Sequence, residues 1–215
     1  MILAAENVRK SYRDQPILRD CSLRASTGQC VLVRGPSGGG KSTFLRILAL
    51  LEPANSGTVV HGEQRWDASR PCKVSPYPFL TVVFQQLFLW PNLTILQNLS
   101  IVLSHRPNDV LPPSSMELLE RLNIAHLLDH RPHECSLGQR QRVTIARALL
   151  SKAQFLLLDE PSSALDRANT SILIQELRFA RAHDRGLLLI THDDRAYDEL
   201  ADQCFELEDG RLQET

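Results

Sequence analysis

Residues 35–43 read Gly35-Pro36-Ser37-Gly38-Gly39-Gly40-Lys41-Ser42-Thr43. They follow the apolar run Cys30-Val31-Leu32-Val33 and precede Phe44, Leu45, Ile47, Leu48 and Leu51, which share one face at helical spacing. The stretch predicts a strand that turns through a glycine-rich loop into a helix. Gly35, four residues, then Gly40, Lys41 and Ser42 is the Walker A spacing of a phosphate-binding loop. The glycines let the backbone curl so that successive N–H groups point inward at phosphate oxygens. The helix that follows adds its unpaired N-terminal N–H groups and the positive end of its dipole. Lys41 supplies a full charge for the β- and γ-phosphates, and the Ser42 hydroxyl can ligate Mg²⁺.

The chain has 215 residues, enough for one large domain or a core with a subdomain. Apolar residues make up 43%, so a sizeable core is available. The net charge of −1 provides no polyanion-binding surface and argues against a nucleic-acid partner. Cys21, Cys30, Cys72, Cys135 and Cys204 are scattered without a C-x-x-C pair, and read as reduced thiols of a cytosolic protein. The start, Met1 to Glu6, lacks the basic and apolar segments of a signal peptide. No apolar run approaches the roughly 20 residues of a membrane helix, so any action at a membrane goes through a partner.

Short strands are expected around Ile2–Val8, Cys21–Ala25, Cys30–Arg34 and Thr58–Val60. The helix after the loop is expected to stop at Glu52-Pro53. A further strand ends in Val82-Val83-Phe84. Residues 95 to 153 have mostly helical period, broken between Pro107 and Pro113. Phe155-Leu156-Leu157-Leu158 and Leu187-Leu188-Leu189-Ile190 are typical of buried parallel strands, and a helix with Ile172, Leu173, Leu177 and Phe179 in period lies between them. A parallel sheet covered by helices is the simplest architecture for that order.

The chemistry-bearing residues stand just after strands. The loop follows one, Asp159-Glu160 a second, His192 a third and Gln85 a fourth. Open parallel α/β sheets bind ligands at the carboxyl ends of their strands, so these define one nucleotide pocket. Asp159 looks like a Walker B aspartate that holds Mg²⁺ directly or through water. The Glu160 carboxylate can polarise a water aimed at the γ-phosphate.

Residues 135–147, Cys-Ser-Leu-Gly-Gln-Arg-Gln-Arg-Val-Thr-Ile-Ala-Arg, resemble the Leu-Ser-Gly-Gly-Gln signature of the ATP-binding cassette (ABC) ATPases. The resemblance covers nearly the whole chain. Tyr12 stands where the family's aromatic residue stacks on adenine. Gln85 matches the Q-loop glutamine, a catalytic and metal-ligand position. Ser163-Ala164-Leu165-Asp166 matches the D-loop, and His192, in Thr191-His192-Asp193, the switch histidine. The resemblance implies an α/β fold: a RecA-like P-loop NTPase core, an N-terminal antiparallel β segment and an inserted α-helical subdomain. Residues 1–90 and 155–215 would form the core of this single domain, and 91–154 the helical subdomain with the signature.

It also implies ATP with Mg²⁺ as ligands, and two cassettes that dimerise head to tail. Ser136 and the N–H groups of Gly138 and Gln139 would then bind the γ-phosphate of the partner's ATP. Hydrolysis would remove that bridging charge and open the dimer. Transmembrane permease subunits are the implied partners, together with a second cassette and a substrate-binding protein, at the cytoplasmic face of the inner (plasma) membrane. Leu51 to Gly57, Phe88 to Thr94 and the D-loop look most like polar amino-acid importer subunits. A lipoprotein-release or cell-division ATPase is the alternative. A non-transport member is the other, although translation factors of the family carry two cassettes and its repair proteins a long coiled coil.

The signature departs from the pattern at Cys135 and at Leu137, which replaces the first glycine. A side chain there is expected to crowd the phosphate or forbid a positive φ. Arg140, Arg142 and Arg147 read as a solvated helix face. Trp66 and Trp90 read as packing residues, with Trp90 alternatively lining the permease contact. His61, His105, His126, His130, His133 and His183 lack ligand spacing and read as surface residues.

Overall fold

The computed structural model describes residues 1–104, 111–192 and 195–215. His105, Pro107 and Asp193 lie outside the described residues. In chain order the elements are β1 (Ile2–Tyr12), β2 (Gln15–Ser26), β3 (Cys30–Arg34), α1 (Lys41–Leu48), β4 (Ser56–His61), β5 (Gln64–Asp67), β6 (Leu80–Val83), α2 (Ile95–Ser104), α3 (Pro113–Arg121), α4 (Leu137–Leu150), β7 (Phe155–Asp159), α5 (Arg167–Ala182), β8 (Gly186–Ile190), β9 (Gln203–Glu208) and β10 (Arg211–Glu214). Two sheets result. One is antiparallel, ordered β2-β1-β4-β5; the other is ordered β10-β9-β3-β8-β7-β6. In the second sheet β3, β6, β7, β8 and β9 run parallel, and β10 closes its edge antiparallel to β9.

The apolar runs explain the central strands. Val31, Leu32 and Val33 of β3, Leu157 of β7, and Leu187 to Ile190 of β8 are fully buried. Such strands are covered on both faces. Each buried Leu, Ile or Val contributes about 1.5–3 kcal/mol. On one face Phe44, Leu45 and Leu48 of α1 pack with Val31, Val33, Leu157 and Leu188. On the other, Leu173 and Leu177 of α5 meet Leu32, Leu156, Leu158 and Leu189. A separate cluster joins Ile95 and Leu99 of α2, Leu118 and Leu119 of α3, and Val143 and Ala146 of α4. Among the described residues no helix is long and apolar enough to cross a membrane.

Several details differ from the sequence reading. β1 runs on to Tyr12 because Asn7, at φ 50°, inserts an irregularity between Ala5 and Val8 that breaks the apolar alternation. β5, β9 and β10 were not expected: their exposed polar residues hide the period of two. Helix α1 ends at Leu48 rather than at Glu52-Pro53. Leu50 takes a left-handed backbone, φ 57°, which turns Leu51 outward, 52% exposed. Phe179 leaves the buried face of α5 and pairs with His183, ring centroids 4.1 Å apart. His61 is no surface residue. It is buried, with Nε2 2.8 Å from the Leu48 carbonyl and its ring stacked on Phe79 at 4.8 Å; burial lowers its pKa. All five cysteines are free.

Candidate functional site

The loop at 35–40 is shaped by its neighbours. Gly35 has φ 147°, and a Cβ there would stand 2.2 Å from the Leu207 carbonyl oxygen of β9, so no other residue fits. Gly40 caps α1 in a left-handed conformation with no side-chain cap, which leaves the first N–H groups of the helix facing the loop. Gly39 N–H donates to Pro36 O at 3.1 Å. Lys41 is buried and folds back along the loop. Its ammonium donates to Gly35 O at 2.7 Å and Pro36 O at 2.9 Å. Burial lowers the Lys41 pKa, against the attraction of Glu160 and Asp159.

Ser37, Gly38, Lys41, Ser42, Gln85, Asp159, Glu160, Ser163 and His192 line one cavity of about 190 Å³. The structure thus brings the ends of β3, β6, β7 and β8 to one place. Asp159 closes β7 and is buried. Burial raises its pKa, opposed by a hydrogen bond from Ser42 and the charge of Lys41. Glu160 follows with φ 51°, its N–H donating to Ile190 O at 2.9 Å. Its Oε2 lies 3.0 Å from His192 Nδ1 and accepts from Thr191 Oγ1 at 3.4 Å. With a carboxylate as acceptor, His192 Nδ1 is the donor of this hydrogen bond.

Among the described residues no three His, Cys, Asp or Glu side chains cluster as a metal cage. The cavity instead combines one buried aspartate with a serine hydroxyl and a glutamine amide. That oxygen set suits Mg²⁺, which keeps several waters and shares phosphate oxygens with its substrate. The residues present fit the ion.

The signature residues sit apart from this cavity. Ser136 caps α4: Gln139 N–H donates to Ser136 Oγ at 3.2 Å, and Ser136 N–H to Gln139 Oε1 at 2.7 Å. The Gln139 N–H expected to face a phosphate is thus already engaged, whereas that of Gly138 belongs to the unpaired first turn. Leu137 is the first helical residue, outside the positive-φ region and 56% exposed. The expected backbone strain at this position is absent. Gly138 is the constrained one, since a Cβ there would meet Ala164 O at 2.8 Å. Asp166 caps α5, accepting from Asn169 N–H at 2.8 Å.

Two residues with clear contacts, Gln141 and Glu52, carry roles that the sequence reading did not assign. Gln141 is buried. Its Nε2 donates to Pro161 O at 2.6 Å and Glu160 O at 3.2 Å, and its Oε1 accepts from Ala164 N–H at 2.9 Å. Its position on the same α4 face as Ile145 and Ala148 was the available signal: a polar residue in a buried phase needs partners. Glu52 receives hydrogen bonds from Tyr12 and Arg46. Ser163, the first residue of the D-loop match, lines the cavity.

The arginines of α4 are not a solvated face either. Arg142 Nη1 donates to Asn169 Oδ1. Arg147 donates to Phe88 O at 3.1 Å and stands 5.1 Å from the Trp90 ring centroid; burial lowers its pKa to about 10. Arg140 is half-buried. Trp66 is half-buried and packs on the core, whereas Trp90 is 47% exposed and Phe88 beside it 56%.

Known proteins share this fold. The family model described as "ABC transporter" matches residues 18–163. The probable amino-acid import ATP-binding protein YxeO of Bacillus subtilis is 34% identical, over 98% of this chain and 87% of its own length. MalK of Escherichia coli K12, a maltose/maltodextrin import ATP-binding protein, is 36% identical over 96% of this chain; the match spans 56% of MalK. Among solved structures, the dimeric bacterial ABC transporter cassette MJ0796 superposes with a TM-score of 0.86 at 27% identity, covering 99% of this chain and 97% of that one. Its post-hydrolysis state, bound to ADP and Pi, gives 0.83 at 26% identity, covering 99% and 97%. With its phosphate loop, strand-end carboxylates and mixed α/β sheets, the chain belongs to the ABC transporter family and is an ATP-hydrolysing cassette of it.

Proposed function

We propose that this chain is the ATPase subunit of a membrane importer, docked at the cytoplasmic face of the membrane on separate transmembrane permease subunits. Amino acids are the cargo class that its relatives YxeO and y4tH suggest by name; y4tH, from Sinorhizobium fredii, is 36% identical over 99% of this chain. A substrate-binding protein outside the membrane would complete the system. Residues 1–90 and 155–215 act as the nucleotide-binding core and 91–154 as the helical subdomain. The exposed Phe88 and Trp90, beside the Q-loop, are offered to the permease.

The observation that carries the reading is the convergence of Lys41, Ser42, Gln85, Asp159, Glu160 and His192 on one small cavity. Its volume suits a terminal phosphate with its water shell rather than a whole nucleotide. The amides of 35–43 cradle the phosphates, and Lys41 turns from Gly35 O and Pro36 O to phosphate oxygens. Ser42, Gln85 and Asp159 would hold Mg²⁺, which supplies neutralisation of the developing phosphate charge. Glu160 polarises the attacking water, and His192 fixes the carboxylate through Nδ1–H. Tyr12 stacks on adenine. Ser136 and Gly138, on the far side of the D-loop, serve a partner's nucleotide, which makes the active unit a head-to-tail dimer with Asp166 near its seam.

Affinity purification of the tagged chain from detergent-solubilised membranes tests this. Expected is the recovery of a transmembrane subunit whose presence makes ATP turnover respond to an amino acid and its binding protein. Recovery of ribosomes, or of no integral membrane protein, would overturn the transport reading.

A further inference from the structure

Tyr12 does not stand alone at the end of β1. Its hydroxyl donates to Glu52 Oε1 at 2.5 Å. The same carboxylate oxygen pairs with Lys10 Nζ at 2.9 Å, and Oε2 accepts from Arg46 Nε at 2.9 Å. Arg46 continues to Thr43 Oγ1 at 3.2 Å, in the first turn of α1. Lys10 also donates to Pro53 O at 2.6 Å and stands over the Tyr12 ring, 4.9 Å from its centroid. Glu52 and Lys10 are largely shielded, 18% and 11% exposed, whereas Tyr12 is 44% exposed. Burial alone would raise the Glu52 pKa, yet the hydrogen bonds from Tyr12, Lys10 and Arg46 lower it.

We infer that Glu52 is a positioning residue for the nucleotide base. It anchors the Tyr12 hydroxyl so that the ring cannot swing, and through Arg46 and Thr43 it ties that ring to the helix that opens the phosphate loop. Lys10 holds one face of the ring by cation–π attraction, which directs stacking to the other. A free tyrosine at a hairpin end would lose rotamer freedom on every binding event; an anchored one has lost it already. Glu52 thus sets how much of the ATP affinity comes from the base rather than the triphosphate. The inference rests on the reading of Tyr12 as the adenine platform.

Calorimetric titration of ATP and of inorganic triphosphate into wild type, Tyr12→Leu, Tyr12→Phe and Glu52→Gln separates the possibilities, with melting temperatures as the check on folding. Expected is ATP binding about tenfold weaker in Tyr12→Phe and Glu52→Gln, with triphosphate binding unchanged in both. If Tyr12→Leu loses ATP affinity while Tyr12→Phe and Glu52→Gln keep it, the ring stacks without an anchor and Glu52 has no such role. Equal losses for ATP and triphosphate in Glu52→Gln would reduce it to a support of the loop. If Glu52→Gln does not fold, Tyr12→Phe alone decides. An unchanged ATP affinity in Tyr12→Leu would remove the platform reading itself, and the inference with it.

Discussion

The amide of Gln141 donates to the main-chain carbonyl of Glu160 at 3.2 Å, so the helix that carries the signature is hydrogen-bonded to the carboxylate residue of the ATP cavity. The same side chain reaches Pro161 O and Ala164 N–H. One residue on, Arg142 binds Asn169, whose N–H and amide group meet Asp166. α4 thus holds the loop directly at 160, 161 and 164, and reaches Asp166 only through Asn169 of α5.

Gln141→Met keeps the length of the side chain and removes its hydrogen bonds. The Pro161 carbonyl and the Ala164 N–H would lose this partner inside the protein, each orphaned group costing about 1–3 kcal/mol, while the Glu160 carbonyl keeps the Ser163 N–H at 3.2 Å. Urea unfolding without nucleotide is expected to show a loss of at least about 2 kcal/mol, with a fall in turnover. A change within experimental error would mean that the loop holds its shape unaided.

Lys41→Ala removes the cation of the phosphate loop. Hydrogen bonds to charged groups contribute about 1.5–3 kcal/mol, so affinity for ATP should drop by roughly tenfold or more and hydrolysis should vanish. Calorimetry and phosphate release on the folded variant measure both. Wild-type values for both would remove the loop from the mechanism.

Glu160→Gln preserves the shape and the hydrogen bond to His192 while ending the ability to take a proton. Turnover should fall by roughly 10²–10⁴-fold with ATP affinity retained. Size-exclusion chromatography with ATP and Mg²⁺ is expected to show a persistent dimer. Hydrolysis at the wild-type rate would assign the catalytic carboxylate elsewhere.

The first two helical positions of α4 should respond in opposite ways. Leu137→Gly removes an exposed side chain from an ordinary helical backbone; it should cost no more than about 1 kcal/mol of stability and leave turnover equal or higher. Gly138→Ala drives a methyl to within 2.8 Å of Ala164 O and should lower turnover by displacing the D-loop. A large loss in Leu137→Gly would show that the leucine makes contacts of its own across the dimer seam.

The sequence made the parts of the site visible wherever chemistry demands a residue type at a fixed place in the chain. Lys41, Asp159, Glu160 and His192 each follow a strand whose apolar run is plain, and the cavity lies where those strands end. What escaped depends on contacts between distant segments. Gln141 acts through partners about twenty residues away and is marked locally only by a polar side chain in a buried helical phase; Glu52, in the bend after α1, meets Tyr12 from 40 residues away and carries no such mark. β5 and β10 escaped because edge strands show water much of their surface, and β9, although paired on both sides, alternates its apolar residues with exposed glutamates over only six positions. Leu51 and Phe179 were placed inside by period alone, yet a left-handed turn at Leu50 and the exposed outer face of α5 put them outside.

The sheet order carries a consequence for how the chain is made. β3, which presents the glycine loop, lies between β8 and β9, both from the last stretch of the sequence. A nascent chain that has emerged only through α5 already contains the entire loop but neither flanking strand, nor the Leu207 carbonyl against which Gly35 is pressed. Competence to hold a nucleotide therefore waits for β8 and β9 to emerge. Until then Cys30-Val31-Leu32-Val33 is an apolar strand with two unpaired edges, a template for wrong pairing. ATP can favour the finished fold, but it cannot assist the half-made one.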